Sequence, residues 1–331
     1  MYNPDIKERF IKLCSNNSED FIRNAERLFS RTEPYEEKKQ KDLCKFKKDE
    51  LIDVLSETIS AVRADSSIKP LNIVNSYIKW CESQLIDVQD ICIAPEDIDV
   101  QNLRNTMVCN PKQMQMYLDA LFDKESDNTS ACVYRAYLWL AYFGIQNDED
   151  AVKITKDNVN FENMTISCNG KLYEMYKESI PAIRNCAMLK SFNVNGKNYE
   201  LSRVNNNYLL RMADKNNHKE KDAQDVPGLL TIRTGIIAKR KSALKSNDIS
   251  VARLAKIKLS YKRAWLSGIF YRTFEAEMAG VEPDFLWIAN EKVENYDYKL
   301  QSCRKSVKSK VKELSNEYME DYLRWKKAFS I

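Results

Sequence analysis

Histidine is nearly missing from this chain: there is one, His218, in 331 residues. It sits in the hydrophilic run NNHKEK, where an exposed loop is expected. With no second imidazole, no Cys-x-x-Cys pair and no clustered carboxylates, a metal centre has no ligand set, and no cofactor is expected. Nine cysteines are scattered singly, at positions 14, 44, 81, 92, 109, 132, 168, 186 and 303. That odd number fits neither a disulfide framework nor a zinc ribbon, so the thiols are expected to act as small apolar side chains in a reducing, cytoplasmic setting. Glycine (7) and proline (8) are scarce, which argues for long helices and against a many-stranded sandwich, barrel or disordered chain. Long apolar runs are missing as well. The longest, around 136–145, is short and interrupted, and MYNPDIKERFIKLC lacks the apolar core of a signal peptide, so no membrane segment is expected.

What the chain does have is helical periodicity and unevenly placed charge. No repeat period is visible, and the length fits two domains better than one. Phe10, Leu13, Cys14, Phe21, Ala25 and Leu28 recur at helical spacing over residues 5–31, with Ser18 and Asp20 as an N-cap signal. A basic linker with Lys38, Lys39, Lys41, Lys45, Lys47 and Lys48 is expected next, then helices carrying Leu51 to Val62 and, after Pro70, Ile73 to Cys81. The acidic, weakly periodic stretch ICIAPEDID (91–99) reads as an interdomain connection, dividing the chain into domains 1–98 and 99–331. Pro111 suits a helix first turn. The helix YRAYLWLAYFG follows, and then MTISC (164–168) and KLYEM (171–175) flank Asn169-Gly170, a type I′ hairpin signature. From Leu229 onward the pattern is helical almost to the end, so the fold class is mainly α with a small β-sheet or hairpin.

Residues 229–263 hold ten basic side chains: Arg233, Lys239, Arg240, Lys241, Lys245, Arg253, Lys256, Lys258, Lys262 and Arg263. Asp248 is the one acid there, so ten less one gives +9; a total of +4 leaves about −5 for the rest of the chain. Such clustering is the footprint of a phosphate-backbone binder. The interleaved Ile232, Ile236, Ile237, Leu244, Val251, Leu254, Ile257 and Leu259 mark it as folded structure, not a basic tail. DNA is favoured over RNA because no stacking platform is evident.

With these elements in order, the chain resembles the tyrosine-recombinase (phage integrase) family along nearly its whole length. The helical N-terminal region with Tyr77, Trp80 and Cys81 is similar to a core-binding domain. LAYFGIQNDEDAVKI resembles the family's apolar helix ending in Gly-aliphatic-Arg, with Gln146 at the arginine position. The family's hairpin lysine falls on Lys171. Its His-x-x-Arg element falls on LSYKR, with Ser260 for the histidine and Arg263 for the arginine. Trp287 matches the later His/Trp position and Tyr296 the nucleophile, with Tyr298 close by. In length and element order the resemblance is greatest to the recombinase-fold repressors of SPβ-group Bacillus phages, which maintain lysogeny.

The resemblance implies a helical core-binding domain and a tyrosine-recombinase-like catalytic domain closing as a clamp on double-stranded DNA, at operator sites. It implies a damaged catalytic set too. In the family, two arginines stabilise the crowded phosphorane-like transition state while lysine and histidine move protons. Gln146 brings no charge and no bidentate fork, and Ser260 is no base near neutrality. The expectation is a DNA-binding regulator without enzymatic activity. Lys39, Lys41, Lys45, Lys171 and the ten basic residues of 229–263 are its expected DNA contacts. Two alternatives stay open: a divergent recombinase using Tyr296, with Arg272 or Arg233 replacing the lost arginine, or an accessory factor. Leu314, Tyr318, Tyr322, Trp325 and Phe329 on the last helix are candidates for self-association or packing on their own domain, and a regulator implies an inducing signal such as an antirepressor.

Overall fold

The computed structural model describes residues 1–15, 18–59, 64–89, 91–122, 130–189, 191–194, 197–200, 207–211, 228–295 and 307–331. They group into two compact units, Met1–Asn105 with Glu320–Ile331, and Thr106–Met319. Helix dominates both, and among the described residues no helix is long and apolar enough to cross a membrane.

Among the described residues, the regular elements of the first unit are all helical. Helix α1 (Pro4–Cys14) is followed by α2 (Glu19–Lys39), whose N-cap Ser18 accepts the Phe21 amide. A single 3-10 turn (Leu43–Lys45), α3 (Lys48–Thr58), α4 (Ala64–Ser83) and α5 (Pro95–Arg104) complete it. Phe10, Phe29 and Tyr77 meet at its centre, with ring centroids 5.0 Å apart for Phe29–Tyr77 and 5.2 Å for Phe10–Tyr77.

Three segments depart from the sequence reading. The expected basic linker after residue 31 is structured: α2 continues to Lys39, and Leu43, Cys44 and Phe46 are buried. Apolar residues set between the lysines hold this segment to the core while the ammonium groups stay at the surface. Helix α4 starts at Ala64, ahead of Pro70, and α3 stops at Thr58. The acidic stretch 91–99, expected as a connection, enters α5. Pro95 occupies the first turn, where its missing N–H costs nothing, and Asp97 accepts the Ala94 amide at 3.1 Å.

The chain's last residues belong to this first unit. Tyr322, Trp325 and Ala328 are buried there, and Arg104 Nε donates to the Ala328 carbonyl at 2.5 Å. The aromatic face considered for self-association is thus already covered by its own chain, because these large rings remove more apolar area from water by packing than by waiting for a partner.

The second unit opens with α6 (Pro111–Leu121), capped by Asn110, and α7 (Ser130–Tyr142), whose described side chains are almost all buried. After α8 (Asp148–Ala151), strands β1 (Val159–Asn160), β2 (Thr165–Cys168) and β3 (Lys171–Glu174) form an antiparallel sheet in the order β1-β2-β3. Asn169 and Gly170 have φ of 51° and 75°, the left-handed pair that a type I′ turn requires. Helix α9 (Ile180–Ala187) and a second hairpin, β4 (Ser191–Val194) with β5 (Lys197–Glu200), come next. The remainder is α10 (Leu229–Ala243), α11 (Ile249–Ala255), α12 (Tyr261–Met278), α13 (Leu286–Asn295) and α14 (Val307–Phe329), the last of which ends in the first unit's residues.

Helices α7 and α12 form the second unit's spine. Gly268 lies so close to the Tyr142 carbonyl that any Cβ there would collide with backbone.

Candidate nucleic-acid interface

The turn after α7 is held by α12 through three consecutive groups of donors. Arg272 Nη1 donates to the Tyr142 carbonyl at 3.0 Å, Trp265 Nε1 to Gly144 at 3.1 Å, and Tyr261 Oη to Ile145 at 2.8 Å. These satisfy carbonyls that the end of α7 leaves orphaned. The result is that Gln146, next in the chain, is fixed beside the first turn of α12, where Ser260 lies. Arg272, one of the two arginines considered as a substitute, is therefore committed to the turn itself.

Gln146 and Ser260 line one cavity of about 590 Å³ within the second unit. Tyr137, Trp265, Leu259, Ile236 and Tyr318 form apolar parts of its wall, and Arg233, Arg240, Lys258, Lys262 and Lys292 bring positive charge. Among the described residues, the one carboxylate in the lining is Asp148. It accepts from Tyr137 Oη at 2.7 Å and from Arg233 Nε at 2.9 Å. The bond to Asp148 raises the Arg233 pKa, while burial and the same carboxylate raise that of Tyr137. Arg233, the other arginine considered as a substitute, thus shares the cavity with Gln146 and Ser260, with its charge partly balanced by Asp148.

Ser260 has a structural task. Its Oγ caps α12 by accepting the Arg263 amide at 3.3 Å. Arg263 is half-buried and is not part of the cavity wall; its Nη1 lies 3.7 Å from the Met107 sulfur. Lys171, beside the hairpin turn, pairs with Glu291 on α13 at 2.9 Å, and Trp287 is 52% exposed; neither lines the cavity. Tyr296, Tyr298 and His218 lie outside the described residues. Of the aligned positions, the structure brings together Gln146 and Ser260.

The positive residues of 229–263 fall on α10, α11, the first turn of α12 and the turns between them. Lys241, Lys245, Arg253, Lys256, Lys258 and Lys262 are exposed, Lys239 and Arg240 half-exposed. Ile232, Ile236, Ala243, Ala255, Ile257 and Leu259 are buried beneath them. Asp248 is occupied as the N-cap of α11, accepting the Ser250 hydroxyl and the Ser250 and Val251 amides, which lower its pKa. Its negative charge is thus directed to backbone amides and away from the neighbouring cations.

The first unit treats its lysines differently. Lys39 and Lys41 both reach Glu50, at 2.7 and 2.6 Å, and Lys48 reaches Asp97 at 3.0 Å. Lys45 approaches Asp87 at 3.9 Å, with both side chains exposed. Sequence order gave no hint of the Glu50 clasp, since its members come from separate elements. Lys292 and Tyr318 were missed for the same reason, as they join the cavity from α13 and α14.

Residues 1–83 match the family described as MrpR, N-terminal core-binding domain. No curated protein matches the chain.

Proposed function

We propose that this chain is a DNA-binding regulator of recombinase-like build that grips duplex DNA without cutting it. The observation that carries the reading is the face formed by α10, α11 and the start of α12. Eight cations lie there at exposed and half-exposed positions, with buried apolar residues between them in the chain and Asp248 capping a helix. A rigid surface of this kind lets lysine and arginine heads contact successive phosphates with little loss of backbone entropy, and release condensed counterions as they do so. The core-binding match over residues 1–83 supports the same reading from the other end of the chain, since a core-binding domain is a DNA-contacting module.

The absence of cutting rests on what stands at the reactive positions. Gln146 can donate hydrogen bonds through its amide but supplies no charge, and Ser260 is engaged as a helix cap. Arg263 Nη1 donates to the Met107 sulfur, and Arg263 is not among the residues that line the cavity. By analogy with oxyanion donors, loss of one such clamp costs on the order of 10²–10³ in rate, and here more than one is altered. Binding without chemistry is the behaviour of a repressor, and by resemblance the regulated genes would be the lytic genes of a prophage.

The test is retention of sheared source-genome DNA by the purified chain at about 0.15 M salt, followed by a salt titration on the recovered fragments. A few discrete sites in front of genes are expected, with a log–log salt slope of about −0.9 per phosphate neutralised. A flat salt response, or no retained DNA, would overturn the reading. A covalent adduct on nicked DNA that is lost in Tyr296→Phe would overturn the non-cutting half.

A further inference from the structure

The cavity beside the basic face has features that a groove for a DNA backbone does not need. It is about 590 Å³ in volume, inside the range of about 300–1,000 Å³ common for small-molecule sites. Its charge is lopsided, with five cations against Asp148. Part of its wall is aromatic and apolar: Tyr137, Trp265 and Tyr318 are almost fully buried, so their edges form a firm wall and not a mobile surface. Arg233 is held in place by Asp148, and Asp148 in turn by Tyr137, which fixes at least one guanidinium before anything binds. Lys292 stands 5.5 Å over the Tyr318 ring, so a cation and a flat face are already side by side.

We propose that this cavity binds a phosphorylated ring compound of nucleoside-monophosphate size, and that its occupancy weakens the hold on DNA. The ring would lie against the Tyr137, Trp265 and Tyr318 wall, and the phosphate would meet Arg233, Arg240 and Lys262. Arg240 and Lys262 also belong to the basic face, so a phosphate seated between them competes with a DNA phosphate for the same donors. This second half rests on the DNA-binding reading; the existence of the site does not. Linkage makes the effect reciprocal, because a ligand that binds only free protein must lower apparent DNA affinity as it saturates.

The experiment is calorimetric titration of the full chain, at about 0.15 M salt, with adenosine and guanosine 5′-monophosphates, the corresponding nucleosides and inorganic phosphate. At least one monophosphate is expected to bind at one per chain with Kd on the order of 10–100 µM, with nucleoside and inorganic phosphate each at least about tenfold weaker. Lys292→Gln should weaken the nucleotide about tenfold, since Lys292 lines the cavity from α13 and is not on the basic face. Lys292→Arg should retain binding. No saturable binding at about 1 mM, equal binding of inorganic phosphate, or equal loss in the Gln and Arg variants would overturn the site. If nucleotide binds but saturating it leaves DNA affinity within about twofold, the competition is overturned. A chain that binds nucleotide and no DNA would sink the DNA reading and the competition but not the site.

Discussion

The two units carry lysine at similar density and place it differently. In the first, cations are matched to acids: Lys7 with Glu36, Lys39 and Lys41 with Glu50, Lys48 with Asp97. In the second, residues 229–263 hold ten cations and one acid; that acid caps a helix, while Arg233 is paired with Asp148 from outside the run. The difference teaches that a basic run in a sequence does not itself define an interface. An ammonium whose charge is answered by a carboxylate presents a dipole to a phosphate, whereas one without such a neighbour presents a full charge and releases a counterion on contact. On the proposed DNA-binding reading, the larger part of the electrostatic grip would fall to α10, α11 and the start of α12.

The most direct way to break that comparison is to reverse charge at Lys239, Arg240 and Lys241 together. All three are at least half-exposed, and their replacement by Glu should leave the far-ultraviolet circular dichroism and the unfolding midpoint nearly unchanged. DNA affinity at about 0.15 M salt should fall about a thousandfold, for all sequences alike, and the salt slope should become shallower. Retained affinity would mean that the basic face is a solvated surface and that the first unit does the binding.

A buried pair sharpens the contrast from the other side. Lys7 Nζ lies 2.6 Å from both carboxylate oxygens of Glu36, each side chain fully buried. Glu36 also accepts the Leu43 amide at 2.7 Å and the Thr32 hydroxyl at 3.0 Å. Burial still raises the Glu36 pKa above its ordinary value, so the site favours the protonated form relative to the unfolded chain. Raising pH through the folded-state pKa therefore removes stability from this group. Lys7→Met should cost about 3–5 kcal/mol in chemical denaturation because it strands a buried carboxylate, while Lys7→Met with Glu36→Leu should recover most of the loss. A single variant no less stable than the parent would show that the pair contributes nothing.

Much of the fold was legible in the sequence, and the exceptions share a cause. The Asn169-Gly170 turn, Ser18 and Pro111 were readable because each acts within a few residues of itself. Gln146 and Ser260 were singled out through the family resemblance, and the structure sets them in one cavity. The buried segment Leu43–Phe46, the entry to α5 through Pro95 and the fate of Tyr322 and Trp325 were not readable, because packing partners far along the chain decide them. The same holds for Gly268, one glycine among seven, which marks the contact of α12 with the Tyr142 carbonyl. Gly268→Ala should destabilise the second unit by about 1–3 kcal/mol through overpacking against backbone, while Gly280→Ala, where a Cβ meets open space, reports the cost of positive φ alone.

The smallest expected effect bears most closely on the comparison. Glu50 receives Lys39, Lys41 and the Lys47 amide, and these bonds hold its pKa at about 2. A depressed carboxylate pKa stabilises the fold above the unfolded value, and the contribution is lost as pH falls from that value toward about 2. Glu50→Gln should therefore flatten the acid limb of the stability–pH profile while changing stability at neutral pH little, because the group is partly solvated. It also releases two lysines from their acid. If carboxylate pairing is what separates the two units, DNA affinity should rise by about threefold or less, and the salt slope should steepen slightly. An unchanged slope would mean that Lys39 and Lys41 lie away from the DNA whatever their partners, and the contrast between the units would then be one of position instead of pairing.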